Sequence, residues 1–231
     1  MEIIPVIDLK RGQVVRARLG RREEYRPIET PLSATSDPID VARGLLSLFP
    51  FATLYIADLD AIESAGSNDE AIALIRAALP DLSLWVDNGM DQAGAARRWL
   101  AAGWGSLVIG SESQKDPQLL GALADESRVV LSLDFRGDAF QGAPSILTNP
   151  HLWPECVIAM TLAPNCSYSA RPALWSQSSV VQTLVKASGK NNSTVFFWPR
   201  FALSETSCRP SAPFDLRVKS GALVPTERAM M

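Results

Sequence analysis

The chain has 231 residues, 47% of them hydrophobic and 20% charged, with a net charge of −3 and a single histidine. That is the profile of a soluble globular protein with room for one large domain or two small ones, and no apolar run reaches the ~20 residues of a membrane helix. The balance excludes a global basic field for nucleic acid, and the lone histidine argues against a serine–histidine triad. Cys156, Cys166 and Cys208 are odd in number and lack metal-type spacing, which speaks for a reducing cytoplasm and against a structural zinc site. No signal peptide is expected ahead of the first strand pattern.

In chain order, "IIPVIDLKRGQVVRA" (3–17) is an apolar strand that ends on Asp8, a basic turn at Lys10-Arg11-Gly12, and a second β-rich run at Val14-Val15. Asp37-Pro38 reads as an N-cap and first helical residue, ahead of a face of Val41, Ala42, Leu45, Leu46 and Phe49. "ATLYIADLD" (52–60) is a strand ending in Asp58 and Asp60. Ser67 with Glu70 reads as a capping box before Ile72, Ile75 and Leu79. "LSLWVDNG" (82–89) is a strand ending in Asp87, Asn88 and Gly89, and Asp91 is expected to cap a helix closed by Gly103. "SLVIGSES" (106–113) is a strand ending in Gly110 and Ser111. Asp116-Pro117 opens the next helix, and "VVLSLDFRG" (129–137) is a strand ending in Asp134. Trp85, Trp99 and Trp104 fall in these strand and helix patterns and read as core.

Near-continuous apolar strands alternating with amphipathic helices mean a parallel sheet covered on its outer side. An open doubly wound sheet and a (β/α)8 barrel both fit. A barrel typically takes ~250 residues, and the missing G-x-G-x-x-G after the first strand weakens the open sheet. In a barrel the polar strand ends converge on one mouth, where active sites are built. A single such acid is commonly no more than turn and cap chemistry; Asp8 and Asp134 together point to a site.

These segments resemble the HisA/HisF histidine-biosynthesis barrels. "IIPVIDLKRGQVVRARLG" is similar to the family's opening strand, "LYIADLDAIE" to its second, "SLVIGSES" to its fourth and "VLSLDFRGD" to its fifth. "VIAMTLA" (157–163) is similar to its sixth strand with its threonine. The likeness is greatest to the HisA/HisF-related branch of methanogens and methylotrophs. The resemblance implies a (β/α)8 TIM barrel, one domain over 1–231, and an Amadori-type aldose–ketose isomerisation of a phosphorylated aminosugar without metal or cofactor. It implies Asp8 as general base, Asp134 as general acid and Thr161 as a third polar group, with the two carboxyl pKa values held apart by environment. Lys10, Arg16, Asp58, Asn88, Gly89, Gly110 and Ser111 are the implied phosphate and substrate contacts. The implied partner is a small phosphorylated molecule, with no nucleic acid or membrane, in a monomer or weak homo-oligomer. An alternative is a barrel of this family that binds a phosphorylated ligand without catalysis or with another specificity, linked to C1-coenzyme synthesis.

Two departures stand out. Where the family has Gly-Gly-Ile-Arg after strand three, this chain has Asn88-Gly89-Met90-Asp91. After Leu162 the pattern stops: 151–231 has four acids against eight Lys/Arg and only Gly189 and Gly221 of the 14 glycines. "VFFWPRFALSETSCRP" (195–210) stands where a seventh strand with a second glycine cradle is due. Reading Phe196 to Thr206 two nucleotides out of phase in GC-rich codons gives Phe-Leu-Ala-Ala-Val-Arg-Thr-Val-Gly-Asp-Leu, near the family pattern. "SGALVPT" (220–226) resembles strand eight in the given frame. The segment 164–219 is thus expected to be divergent or frameshifted, making the C-terminal quarter atypical.

Overall fold

The computed structural model describes residues 4–16, 22–136 and 139–161, and the strand segments 187–188, 215–219 and 222–226. Its elements are, in order, β1 (Val6–Lys10), β2 (Gln13–Arg16), β3 (Arg26–Pro27), α1 (Pro38–Leu48), β4 (Thr53–Asp58), α2 (Leu59–Ile62), α3 (Asp69–Ala78), β5 (Ser83–Asp87), α4 (Ala93–Ala101), β6 (Ser106–Gly110), α5 (Gln118–Ala122), β7 (Val129–Arg136), β8 (Ala139–Gln141), α6 (Pro144–Thr148) and β9 (Cys156–Thr161). Three short strands follow, β10 (Ala187–Ser188), β11 (Asp215–Lys219) and β12 (Ala222–Thr226).

Strands β1, β4, β5, β6, β7 and β9 are parallel neighbours in that order. A doubly wound sheet reverses its strand order at a switch point; here every parallel strand lies beside the next in sequence, the order of a (β/α)8 barrel through its sixth strand. The hairpin β1–β2 pairs Asp8 with Val15 antiparallel, and β3 extends it.

Strand alternation sorts the side chains onto two faces. Ile7, Leu9, Leu54, Ile56, Leu84, Val86, Leu107, Ile109, Leu131 and Leu133 pack on one face with Val41, Leu45, Ile72, Ile75, Ala96, Trp99 and Leu100 of the helices. The other face carries a separate cluster of Ile4, Tyr55, Trp85, Val108, Val130 and Ile158, one residue from each of the six parallel segments. A buried apolar cluster on the face away from the helices agrees with a barrel interior filled by side chains. Trp85 thus belongs to the interior, Trp99 to the outer layer, and Trp104 meets Trp99 edge to face at 5.8 Å.

Helix starts follow the sequence at α1, where Asp37 accepts from the amides of Ile39 at 2.8 Å and Asp40 at 3.2 Å, with Pro38 first in the helix. Elsewhere they differ. The N-cap of α3 is Asn68 rather than Ser67, and no side chain caps it, because the Asn68 amide is drawn into a buried network with Asp58 and Asp60. Gln92 rather than Asp91 precedes α4. Asp116 accepts from the Gln118 amide as expected, one residue ahead of the N-cap Pro117. Residues 222–226, expected as an eighth parallel strand, pair antiparallel with 215–219 in a separate two-stranded sheet, Lys219 opposite Ala222. Most of 164–219 lies outside the described residues, as do Leu162 and Ala163.

Candidate active site at the strand ends

Interior parity carries upward from the apolar layer to the C-terminal strand ends. Asp8 alternates with Ile4 and Val6, Asp87 with Trp85, Gly110 with Val108, and Asp134 with Val130 and Ser132. The register aligns them, since Asp8 lies beside Ala57, Ala57 beside Asp87, and Gly110 beside Ser132. Three aspartates therefore share one face of the sheet above Tyr55. The charges of Asp87, Asp134 and Asp8 all add to what burial does first, pushing the Tyr55 phenol well above its ordinary pKa. Tyr55 stays a phenol and donates to Asp87 Oδ2 at 3.1 Å.

Asp134 is buried and densely held. Its Oδ1 accepts from the Ser132 hydroxyl at 2.7 Å, its Oδ2 faces the Ser111 hydroxyl at 3.2 Å and the Glu112 amide at 3.3 Å, and its own N–H donates to Ser111 Oγ at 2.9 Å. Burial pushes its carboxyl up to about 7, the charges of Asp87 and Glu112 push the same way, and the Ser132 and Glu112 donors pull back. A carboxyl so placed carries a proton at neutral pH for part of the time, as a general acid must.

Gly110 lies between two of these carboxyls. A Cβ there would stand 3.0 Å from Asp87 Oδ2 and 3.5 Å from Asp134 Oδ2. Ser111 is fully buried, and its hydroxyl donates to the Gln141 carbonyl at 2.7 Å. The strand-four end thus directs the Glu112 amide at the protein's own Asp134. In the strand-three loop, Gly89 adopts φ +65°, its amide donates to Asp87 Oδ1 at 3.1 Å, and a Cβ would come within 2.9 Å of Ile62 Cα. Asn88 is buried, and among the described residues its Oδ1 has no hydrogen-bond partner. Gln114 holds this loop by donating to the Met90 carbonyl at 2.9 Å.

The remaining sequence candidates sit apart. Asp58 has the opposite parity, with Leu54 and Ile56 of the outer face. It is fully buried; its oxygens accept from the Asn68 amide at 2.8 Å, the Asn68 side chain at 2.6 Å and the Ala61 amide at 3.2 Å. Asn68 also donates to Asp60 at 2.9 Å and accepts from the Gly12 amide at 2.7 Å, while Asp60 takes the Arg11 amide. This network stitches the β1–β2 turn to the loop after β4. Lys10 forms an ion pair with Glu63 at 3.0 Å. Arg16 is exposed at the end of β2, opposite Arg26. Thr161 ends β9 in register with Phe135, one residue beyond Asp134. Asp87 as a carboxylate facing Asp134, and Tyr55 as its donor, escape a reading of the sequence. Asp87 precedes Asn-Gly and passes for turn chemistry, whereas its parity with Trp85 is the signal that could have found it. Among the described residues, no cluster of His, Cys, Asp and Glu has the arrangement of a metal site, and no helix is long and apolar enough to cross a membrane.

Comparison with known proteins matches residues 2–160 to the family model described as histidine biosynthesis protein. The chain is similar to the 1-(5-phosphoribosyl)-5-((5-phosphoribosylamino)methylideneamino) imidazole-4-carboxamide isomerase of Halorhodospira halophila, 35% identical over 140 residues that cover 59% of this chain and 54% of the relative. The protein of the same name from Chromohalobacter salexigens is 31% identical over 139 residues, 59% of this chain and 53% of the relative. An uncharacterized protein of Methanocaldococcus jannaschii is 34% identical over 136 residues, 59% of this chain and 57% of the relative. The chain spans about half the length of the curated relatives it matches.

Proposed function

This chain belongs to the histidine biosynthesis protein family, and we propose that it is an isomerase carrying out an Amadori-type aldose–ketose rearrangement of a phosphorylated aminosugar. The observation that carries the reading is a buried Asp134 with its carboxyl near neutrality, on the same interior face as Asp8. Asp134 gives its proton to the furanose ring oxygen; the C1–O bond breaks and the nitrogen lone pair closes a Schiff base. Asp8 takes the C2 proton, leaving an enolamine whose C2 hydroxyl becomes the ketone as C1 is protonated. Thr161 is the third polar group, at the end of the strand beside that of Asp134. Asn88, whose buried Oδ1 has no partner among the described residues, is the contact for a substrate hydroxyl or amide. Gly89, Gly110 and Ser111 shape the same mouth, while Lys10, paired with Glu63, and Arg16, exposed at the end of β2, lie apart from it. Asp58 acts at one remove, through the loop it braces. The protein is read as working in the cytoplasm on a small phosphorylated molecule, without cofactor, metal, nucleic acid or membrane, as a monomer or weak homo-oligomer.

Asp8→Asn and Asp134→Asn should each lower turnover of the relatives' isomerase substrate by roughly 10²–10⁴-fold with the fold retained, measured by steady-state kinetics and circular dichroism. Full activity in either variant would end the acid–base reading.

A second reading, a phosphate-ligand barrel of other specificity, is favoured by Asn88-Gly89-Met90-Asp91 in place of Gly-Gly-Ile-Arg and by the likeness to an uncharacterized relative. The frameshift of 164–219 belongs to the same question. Complementation of a histidine auxotroph lacking the isomerase separates these with two genes, the given one and one with the frame corrected. Growth with the given gene supports the isomerase as it stands, growth only with the corrected gene locates the loss in strand seven, and no growth with either, from soluble protein, favours the second reading.

A further inference from the structure

We propose that Asp87 is a positioning residue for Asp134, an ionised carboxylate that faces it across the missing side chain of Gly110 and keeps the transferable proton on Asp134. The inference rests on Asp134 being the acid of the proposed reaction. Its basis is a set of directed bonds. Asp87 is buried and receives two donors of fixed direction, the Tyr55 hydroxyl on Oδ2 at 3.1 Å and the Gly89 amide on Oδ1 at 3.1 Å. The Gly89 amide has no acceptor role to offer a protonated Asp87, and the Tyr55 hydroxyl donates to it. Hydrogen bonds to the charged form favour that form.

Asp134 also receives donors, the Ser132 hydroxyl on Oδ1 at 2.7 Å and the Glu112 amide on Oδ2 at 3.3 Å, but it has an acceptor beside it as well. A serine hydroxyl has one proton and two lone pairs. Ser111 gives its proton to the Gln141 carbonyl at 2.7 Å and takes the Asp134 N–H at 2.9 Å. What remains toward Asp134 Oδ2, at 3.2 Å, is a lone pair, the partner of a carboxylic O–H and not of a carboxylate. Among the described residues the charged groups that act most strongly on Asp134 are Asp87 from β5 and Glu112 from the turn after β6, with no cation among them; Tyr55 from β4 feels Asp134 and also Asp8 from β1. Two carboxyls so close cannot both ionise cheaply. The proton therefore settles on the member with a free acceptor beside it.

The test uses the full chain and reads protonation directly, by ¹³C titration of the aspartate side-chain carboxyls, with Asp134→Asn identifying the Asp134 signal. Asp87→Asn keeps the acceptor for Tyr55 and removes the charge. It should lower the Asp134 midpoint from about 7 by roughly one unit, since burial remains. Tyr55→Phe leaves the charge but removes its donor, shifting proton affinity toward Asp87, and should lower the same midpoint by less. An Asp134 midpoint unmoved in folded Asp87→Asn overturns the proposal; if that variant does not fold, an unmoved midpoint in Tyr55→Phe does so. A midpoint that falls as stated while the wild-type protein turns over no phosphorylated aminosugar retires the isomerase reading and leaves the coupling standing.

Discussion

Asp58 and Asp134 both close an apolar parallel strand, both are buried, and they do opposite things because their strands present them to opposite faces of the sheet. On the outer face Asp58 meets donors on every side, from Asn68 and Ala61, and serves as a clasp between loops. On the inner face Asp134 sits above a closed apolar layer beside a second carboxyl, and its pKa rises to about 7. The outer face satisfies its charge and becomes rigid. The inner face leaves charge imperfectly satisfied, which is what proton transfer needs. The division teaches that in this fold a strand-end acid is classified by parity before it is classified by residue type.

If that division is real, titration should separate the faces, and this is the largest effect on stability expected here. The folded carboxyl of Asp134 holds its proton up to about pH 7, whereas an unfolded aspartate releases it near 3.9. The folded state thus binds more protons between those values. Its contribution is fully present below about pH 4 and is lost as pH rises to 7, on the order of 4 kcal/mol in all. Urea unfolding across that range should show the decline in wild type and a flatter profile in Asp134→Asn, which removes the buried charge. A profile equally steep in the variant would assign the decline to another group.

The outer clasp should respond in the converse way. Asp58→Ala leaves the Asn68 amide, the Asn68 side chain and the Ala61 amide without their acceptor in a buried setting, and unfolding should become easier by roughly 3 kcal/mol. The Asp134 midpoint should stay where it is. A large shift of that midpoint would mean that the two faces are coupled through the loop and that the comparison is too sharp.

How much of this was legible beforehand depends on how local each determinant is. The helix over 38–48 follows from Asp37-Pro38 and its apolar spacing, and the order of parallel strands follows from their alternation with helices. The inner and outer faces did not declare themselves. Strands buried on both sides read as continuous apolar runs, so nothing in "LYIAD" or "LWVD" says which parity is interior; that comes from register, such as Ala57 beside Asp87. Asp58 therefore joined the expected substrate contacts and Asp87 did not. Ser67 and Glu70 spell a capping box, but the Asn68 side chain is taken by long-range bonds to Asp58 and Asp60, and tertiary satisfaction outweighs a local signal. "SGALVPT" carries the composition of a strand but not its partner; 222–226 pair antiparallel with 215–219.

The smallest effect tests whether the outer layer can be weakened without touching the site at all. Asp37 caps α1 from an exposed position, accepting from two amides of the first turn, and the helix packs on the outer face through Val41, Ala42 and Leu45. Asp37→Ala removes the acceptor from helix-end amides that water can partly serve, at about 1 kcal/mol. Asp37→Ser restores a side-chain oxygen at the same place and should recover most of that loss. Since Asp37 neither lines the interior nor braces a strand end, the Asp134 titration should be the same in all three proteins. Recovery by serine with an unmoved midpoint would sharpen the separation of faces down to a single cap. A midpoint that followed the helix would show that α1 positions the strand ends as well as covering them.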